Sequence, residues 1–298
     1  MGERDNPTVV VDEPCETGEN PLWNVDDGRL YWCDIPRGRL YAYDPETDTY
    51  DLLYEDPDER IGGFTFQTDG SLLLFQEAGA VRRYADGDVE TVVEPDPDEF
   101  HERFNDVIAD PEGRVYCGVM PDPDAGIPGR MYRLDRDGTF ECIEREIDLP
   151  NGFGFTPDRT RLYFTDTCYY SDDPGIIYRY EYDQETGTLS DREVFVEAAL
   201  EGLTDGMTVD EEGYVWSAFW DGHKLVRYAP DGSRDRVVEF EPKKVSAITF
   251  GGPDASDAYV TTAGGDDRPA EGETAGSLYR VDLGVSGRPE FRSAIGNE

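Results

Sequence analysis

Four oxygen-bearing side chains stand out by type and spacing. Glu19, Asn151 and Asp205 sit among backbone-permissive neighbours, in Gly18-Glu19-Asn20-Pro21, Pro150-Asn151-Gly152 and Thr204-Asp205-Gly206. Asn105 lies in the polar run Arg103-Phe104-Asn105-Asp106, a cation, an amide and a carboxylate just ahead of strand-like residues. Two carboxylates and two amides, without Cys or His, make a hard, all-oxygen donor set suited to Ca²⁺, Mg²⁺ or Mn²⁺. Carboxylates gathered at one point repel each other, and a cation relieves that repulsion. Residues of these types also populate ordinary turns. One such position therefore says little; four in equivalent places of a repeat say much more. Other chemistries find no support. His101 and His223 are the only histidines, and neither lies in a nucleophile motif. His101 reads as a solvent-facing loop residue. No P-loop or dinucleotide fingerprint is present.

A repeat supplies the placement. An apolar pair, an Asp-x-x-Gly turn and an alternating strand occur at Val25–Trp32, Gln67–Leu72, Ala109–Tyr116, Thr156–Tyr163, Val209–Trp216 and Gly252–Tyr259. The turn slots fall at 28, 70, 113, 160, 213 and 256, with Thr160 in the fourth. A second element follows each: Arg39–Asp44, Val81–Asp86, Met131–Asp135, Ile177–Glu181, Leu225–Asp231 and Leu278–Asp282. The strands are rich in Tyr, Val and Phe and alternate apolar with polar, while Asp-Gly pairs mark hairpins. Units of 42 to 53 residues with about four strands each predict an all-β fold, a six-bladed β-propeller of four-stranded antiparallel blades around a central channel. Pro7–Val11 is expected to close the ring beside the last blade. Helix patterns are confined to Asp98–Phe104 and Glu197–Leu203. Glu19, Asn105, Asn151 and Asp205 all lie eight or nine residues before a turn slot. In that register they start the inner strands and converge at one end of the axis. The same register holds Ile61-Gly62 in the second unit and Ser246-Ala247 in the last.

The 298 residues include 67 acidic and 27 basic ones, a net charge of -40 at pH 7. That balance opposes contact with nucleic acid or an anionic membrane. The acidic residues are spread along the whole chain, which predicts a halophilic protein with a solvated acidic surface. Hydrophobic residues at 37% and 18 Tyr with 14 Phe are enough for a sizeable core. One domain over 1–298 is expected, with 1–6 as a flexible lead-in. Five Cys without CxxC spacing argue against a disulfide framework or a zinc site. No run approaches 18 apolar residues, and the N-terminus lacks the regions of a signal peptide. A cytoplasmic monomer or weak homo-oligomer is expected.

At these residues the chain resembles the senescence-marker-protein/gluconolactonase family of regucalcin-like propellers. The resemblance runs through Gly18–Trp23, Trp32–Ile35, Arg103–Asp106, Asn151–Phe153, Asp166-Thr167, Asp205–Asp210 and Ala275–Asp282. It implies a six-bladed propeller with one divalent cation that hydrolyses a sugar lactone. By resemblance Glu19, Asn151 and Asp205 are the metal ligands, Asn105 lies near metal and substrate, and Arg103 contacts substrate. It implies Ca²⁺ first, with Mg²⁺, Mn²⁺, Zn²⁺ or Fe²⁺ as other occupants. Asp205 would also serve as general base toward the attacking water. Xylono-, arabino- and gluconolactone are the candidate substrates. One position departs: Pro123 stands where regucalcin-like members carry a substrate-contacting glutamate, with Asp122 and Asp124 beside it. The alternatives are a calcium-binding regulatory propeller and an esterase or organophosphatase-like hydrolase.

Overall fold

A computed structural model describes residues 5–296. Six four-stranded antiparallel sheets form a β-propeller. The inner strands of blades 1 to 6 are Gly18–Asn24, Gly63–Phe66, Phe104–Ala109, Pro150–Phe155, Leu203–Val209 and Val245–Gly251. Blade 6 takes its outermost strand from the other end of the chain. Thr8–Val11 pairs antiparallel with Leu278–Asp282, Thr8 opposite Arg280, and closes the ring as expected. The expectation of a flexible lead-in falls mostly on residues 1–4, outside the described residues. Asp5 donates its N–H to Asp282 O at 3.0 Å, and its carboxylate meets Arg236 at 3.0 Å.

Burial follows position within a blade. The inner strand Phe104–Ala109 is buried at every residue, because one face meets the channel and the other the blade interface. The outer strand Thr49–Glu55 is mostly exposed. Apolar side chains fill the wedge between neighbouring blades; Phe75, Phe104, Val115 and Tyr132 do so between blades 2 and 3.

The turns show which repeat residues are structural. Asp110 accepts N–H bonds from Glu112 and Arg114 at 2.9 Å each and an ion pair from Arg114 at 3.0 Å. Asp210 is held alike by Glu212, Tyr214 and Arg227. Gly113 and Gly213 take φ of 86° and 82° there. In blades 4 and 6 the left-handed position falls at Arg159 (φ 59°) and Ala255 (φ 52°), one residue before the slots read from the sequence. The two expected helices are absent. Asp98 and Glu99 form a turn, and buried Phe100 anchors the chain in the blade 2–3 wedge before the inner strand starts at Phe104. Glu197 ends a strand and Leu203 begins one. Among the described residues no helix is long and apolar enough to cross a membrane. All five Cys are free thiols, four of them buried.

After Asp282 the chain crosses the end of the channel opposite the inner-strand starts. Ser286 O accepts from Glu211 N, Gly287 N donates to Ala255 O, and Arg288 Nη1 donates to Pro157 O, reaching blades 5, 6 and 4. Arg292 bonds Asn24, Ser293 N donates to Phe66 O, and Ala294 N donates to Gly113 O, reaching blades 1, 2 and 3. This strap touches every blade.

Candidate active site

The inner strands of blades 1, 3, 4 and 5 each contain a register shift beside a predicted site residue. The shifts lie between Glu19 and Leu22, Phe104 and Val107, Asn151 and Phe153, and Thr204 and Met207. A bulge inserts a residue and re-aims the chain. Neighbouring residues can then face the axis together, which a regular strand forbids. Blade 2 has Ile61-Gly62 in this register and no shift within its inner pair. Blade 6 has a shift, but Ser246 Oγ turns to Gly18 O at 2.6 Å.

Glu19, Asn105, Asn151 and Asp205 accordingly meet on the floor of one cavity of about 270 Å³ at the channel mouth, and Arg103 joins its wall. The size is near the lower end of ligand pockets, about 300 Å³, and suits a small molecule. A polarised hydrogen-bond chain crosses the floor. Arg103 Nη1 donates to Asn105 Oδ1 at 2.7 Å and to Phe104 O at 2.8 Å. Asn105 Nδ2 donates to Asn151 Oδ1 at 2.7 Å, and Asn151 Nδ2 to Thr167 Oγ1 at 2.7 Å. Thr167 Oγ1 donates to Thr204 O at 2.8 Å, next to Asp205. This chain fixes both amides, leaving their oxygens oriented.

The sequence pattern gives Asp106 no role, yet it follows Asn105 on the same inner strand. Its carboxylate lies beneath the floor, against a second, smaller axial cavity of about 50 Å³. Its Oδ1 is buried without a hydrogen-bond partner among the described residues. Burial raises the Glu19 carboxyl well above its usual range, and the Asp106 and Asp205 charges push it the same way. Burial also raises Asp205, again with Asp106. Burial brings Asp106 to about 7, against the opposing pull of Arg103. Buried Asp34, Asp110 and Asp210 each have an arginine within ion-pair distance, and buried Asp166 instead accepts backbone N–H bonds from Asp148, Leu149 and Cys168. Glu19, Asp106 and Asp205 have no such arginine among the described residues. Three buried carboxylates with an orphaned oxygen are an arrangement a divalent cation would stabilise. The donors are mixed, however. Among the described residues no three His, Cys, Asp or Glu side chains gather closely enough to hold a metal alone. Glu19 and Asp205 share the cavity lining with Asn151, so a cation held there would need a mixed carboxylate–amide set.

The segment after Met120 contributes only Met120 to the cavity. Asp122 Oδ1 accepts from Ala125 N at 3.0 Å within its own turn, and Asp124 is exposed. Neither reaches the cavity from beside Pro123. His101 is exposed and lies off the cavity.

A propeller with a carboxylate–amide floor at one channel mouth defines a class, and comparison supplies the family. The chain belongs to the SMP-30/gluconolactonase/LRE-like family, whose model matches residues 17–264. A pentonolactonase of Haloferax volcanii is 48% identical, over 97% of this chain and 98% of that one. A 6-deoxy-6-sulfogluconolactonase of Pseudomonas putida is 31% identical, over 85% and 86%. Among solved structures, a calcium-binding regucalcin from Agrobacterium tumefaciens superposes with a TM-score of 0.85 at 26% identity, over 95% and 96%.

Proposed function

We propose that this propeller hydrolyses a five- or six-carbon aldonolactone to its aldonic acid with the help of one divalent cation. The sugar-lactonase class rests on the family and on the pentonolactonase and sulfogluconolactonase relatives. The observation that carries the metal-assisted part is the uncompensated group Glu19, Asp106 and Asp205 beside two oriented amides. Glu19, Asn151 and Asp205 would hold the cation, with Ca²⁺ favoured for hard oxygen donors and Mg²⁺, Mn²⁺, Zn²⁺ or Fe²⁺ as alternatives. When bound, it supplies Lewis-acid polarisation of the lactone carbonyl. Asp205 would take the proton of the attacking water. Arg103 and Asn105 orient the ring oxygen and hydroxyls. Arg103 engages the protein only through Nη1 in the described hydrogen bonds, so the rest of its guanidinium is available to substrate. Xylono-, arabino- and gluconolactone head the substrate list. We take the protein to act as a cytoplasmic monomer or weak homo-oligomer, without nucleic acid or membrane. Turnover of a lactone panel with and without chelator tests the reading, and absence of chelator-sensitive hydrolysis would sink it.

Asp106→Asn is expected to weaken Ca²⁺ binding at least ten-fold, the usual scale for removing an outer-shell partner. Titration calorimetry on metal-stripped protein reads this directly. Unchanged affinity would mean that Asp106 does not support the cation.

We also infer a high-salt setting from the charge of -40. Salt shortens the screening length to about 3 Å at 1 M and quenches surface self-repulsion. The melting temperature should therefore climb from about 0.1 M to about 1 M KCl. Equal melting across that range would remove the halophilic assignment.

A further inference from the structure

We propose that Tyr169 and Tyr170 form a wall that reads the sugar ring of the substrate, selecting polyhydroxylated neutral lactones over simple aliphatic ones. The inference rests on the lactonase reading above and adds the residues that give it specificity. The connection at 167–175, between Arg161–Asp166 and Ile176–Asp183, has nine residues. The matching connections have four, five and three residues in blades 1, 2 and 5, and nine and fifteen in blades 3 and 6. What sets the blade 4 connection apart is that it is anchored at its base beside the polar floor. Thr167 is tied to Asn151 and to Thr204 O, and Tyr170 N donates to Asp148 Oδ1 at 2.8 Å. Between these anchors Cys168 adopts a φ of 56°, a left-handed conformation that reverses the chain.

The reversal leaves both tyrosines lining the cavity above the polar floor. They are 54% and 52% exposed, with ring centroids 5.0 Å apart in an edge-to-face pair. The other exposed large apolar side chains among the described residues, such as Val25 and Leu52, lie away from the cavity. Stability does not explain two adjacent exposed aromatic rings at a pocket mouth; a ligand surface does. Trp220 lines the same cavity. A sugar lactone fits between floor and wall, its hydroxyls and carbonyl meeting the amides and Arg103 while its C–H face lies on the rings.

Tyr169→Ala and Tyr170→Ala should each raise KM for a pentono-1,4-lactone about five- to ten-fold while kcat moves by less than about two-fold. For γ-butyrolactone, which lacks the exocyclic carbon and the hydroxyls that seat the sugar's C–H face on the rings, the rise should be no more than about two-fold. Tyr→Phe at either position should restore most of the loss. Ca²⁺ affinity by calorimetry should stay with wild type in all variants. Equal KM changes for both lactones, no change for either, or a parallel loss of Ca²⁺ affinity through the Thr167–Asn151 link would overturn the wall. Titration with D-xylose, followed by tryptophan fluorescence, separates this proposal from the reading beneath it. Wild type that turns over no lactone, yet binds D-xylose in a tyrosine-dependent manner, keeps the wall and rejects the lactonase. Absence of both activity and binding rejects the two together.

Discussion

Asp205→Asn is expected to lower lactone turnover by about 10³-fold or more, because it removes a cation ligand and the proposed base together. The same substitution should raise the melting temperature of the metal-free protein. In the unliganded state Asp205 sits buried with Glu19 and Asp106; burial raises all three carboxyls, Asp106 adds to the rise at Glu19 and Asp205, and Asp205 adds to that at Glu19. An isosteric amide keeps the shape and removes a carboxyl that must either carry a buried charge or hold a proton. The pH dependence gives the sign independently. A carboxyl whose folded pKa lies above its unfolded value holds a proton in the native state that the unfolded chain has released. Stability then falls as pH rises through the interval between the two values. For Asp106 that interval runs from an ordinary carboxylate value near 4 up to about 7. Metal-free wild type should lose stability over this range, and Asp205→Asn should lose less. Saturating Ca²⁺ should flatten the wild-type curve, since bound cation favours the ionised carboxylates. Melting curves in chelator and in Ca²⁺ across the interval, beside single-lactone kinetics, check both halves. Retained turnover with retained Ca²⁺ binding would take Asp205 out of both roles.

Much of this site was legible before any coordinates, for a definite reason. Two interleaved signals, the Asp-x-x-Gly turn and the Tyr-Arg-rich strand, recur in register six times. That fixes how far Glu19, Asn105, Asn151 and Asp205 lie from equivalent turns, hence that they meet. What escaped depends on backbone detail that residue types signal weakly. Strand periodicity assigns Asn105 and Asp106 to opposite faces, but the bulge before Val107 lets both serve the axis. Arg159 and Ala255 occupy left-handed turn positions usually marked by glycine, so a search for glycine misplaced the slot by one residue. Asp98–Phe104 carried a helical pattern in isolation; burial of Phe100 and Phe104 in the same wedge overrode it. Thr167 was visible as part of a family motif, but its bonds to Asn151 and Thr204 depend on how two blades lie together. The strap has no copy in the repeat, and nothing in its composition announces contact with six blades.

Ending the chain at Ser286 is expected to unfold the protein in low salt at 25 °C, although the described residues among those deleted contribute no blade strand. Ring closure by Thr8–Val11 joins the first and last blades at the perimeter only. The strap joins blades across the axis. It buries Ser293 and Ile295 almost completely, at 0% and 2% exposure, and packs Phe291 against Phe155. Gln67 holds Ile295 through two bonds, from Nε2 to its carbonyl and to Oε1 from its N–H, at 3.0 and 2.9 Å. Loss of a large buried apolar side chain costs about 2–5 kcal/mol, and each net hydrogen bond about 1. Together these approach the whole stability of a typical domain, about 5–15 kcal/mol. A softer variant, Phe291→Ala, separates stability from function. Phe291 and Glu290 line the small cavity that also meets Asp106, so they shield the carboxylates from below. Opening that side to water should lower the Asp106 pKa from about 7 toward the ordinary range. The stability loss of metal-free protein between about pH 4 and about pH 7 should then be shallower than in wild type. A truncated chain that melts like wild type would refute the strap as an axial tie. A Phe291→Ala pH profile identical to wild type would show that the strap holds the blades without insulating the site.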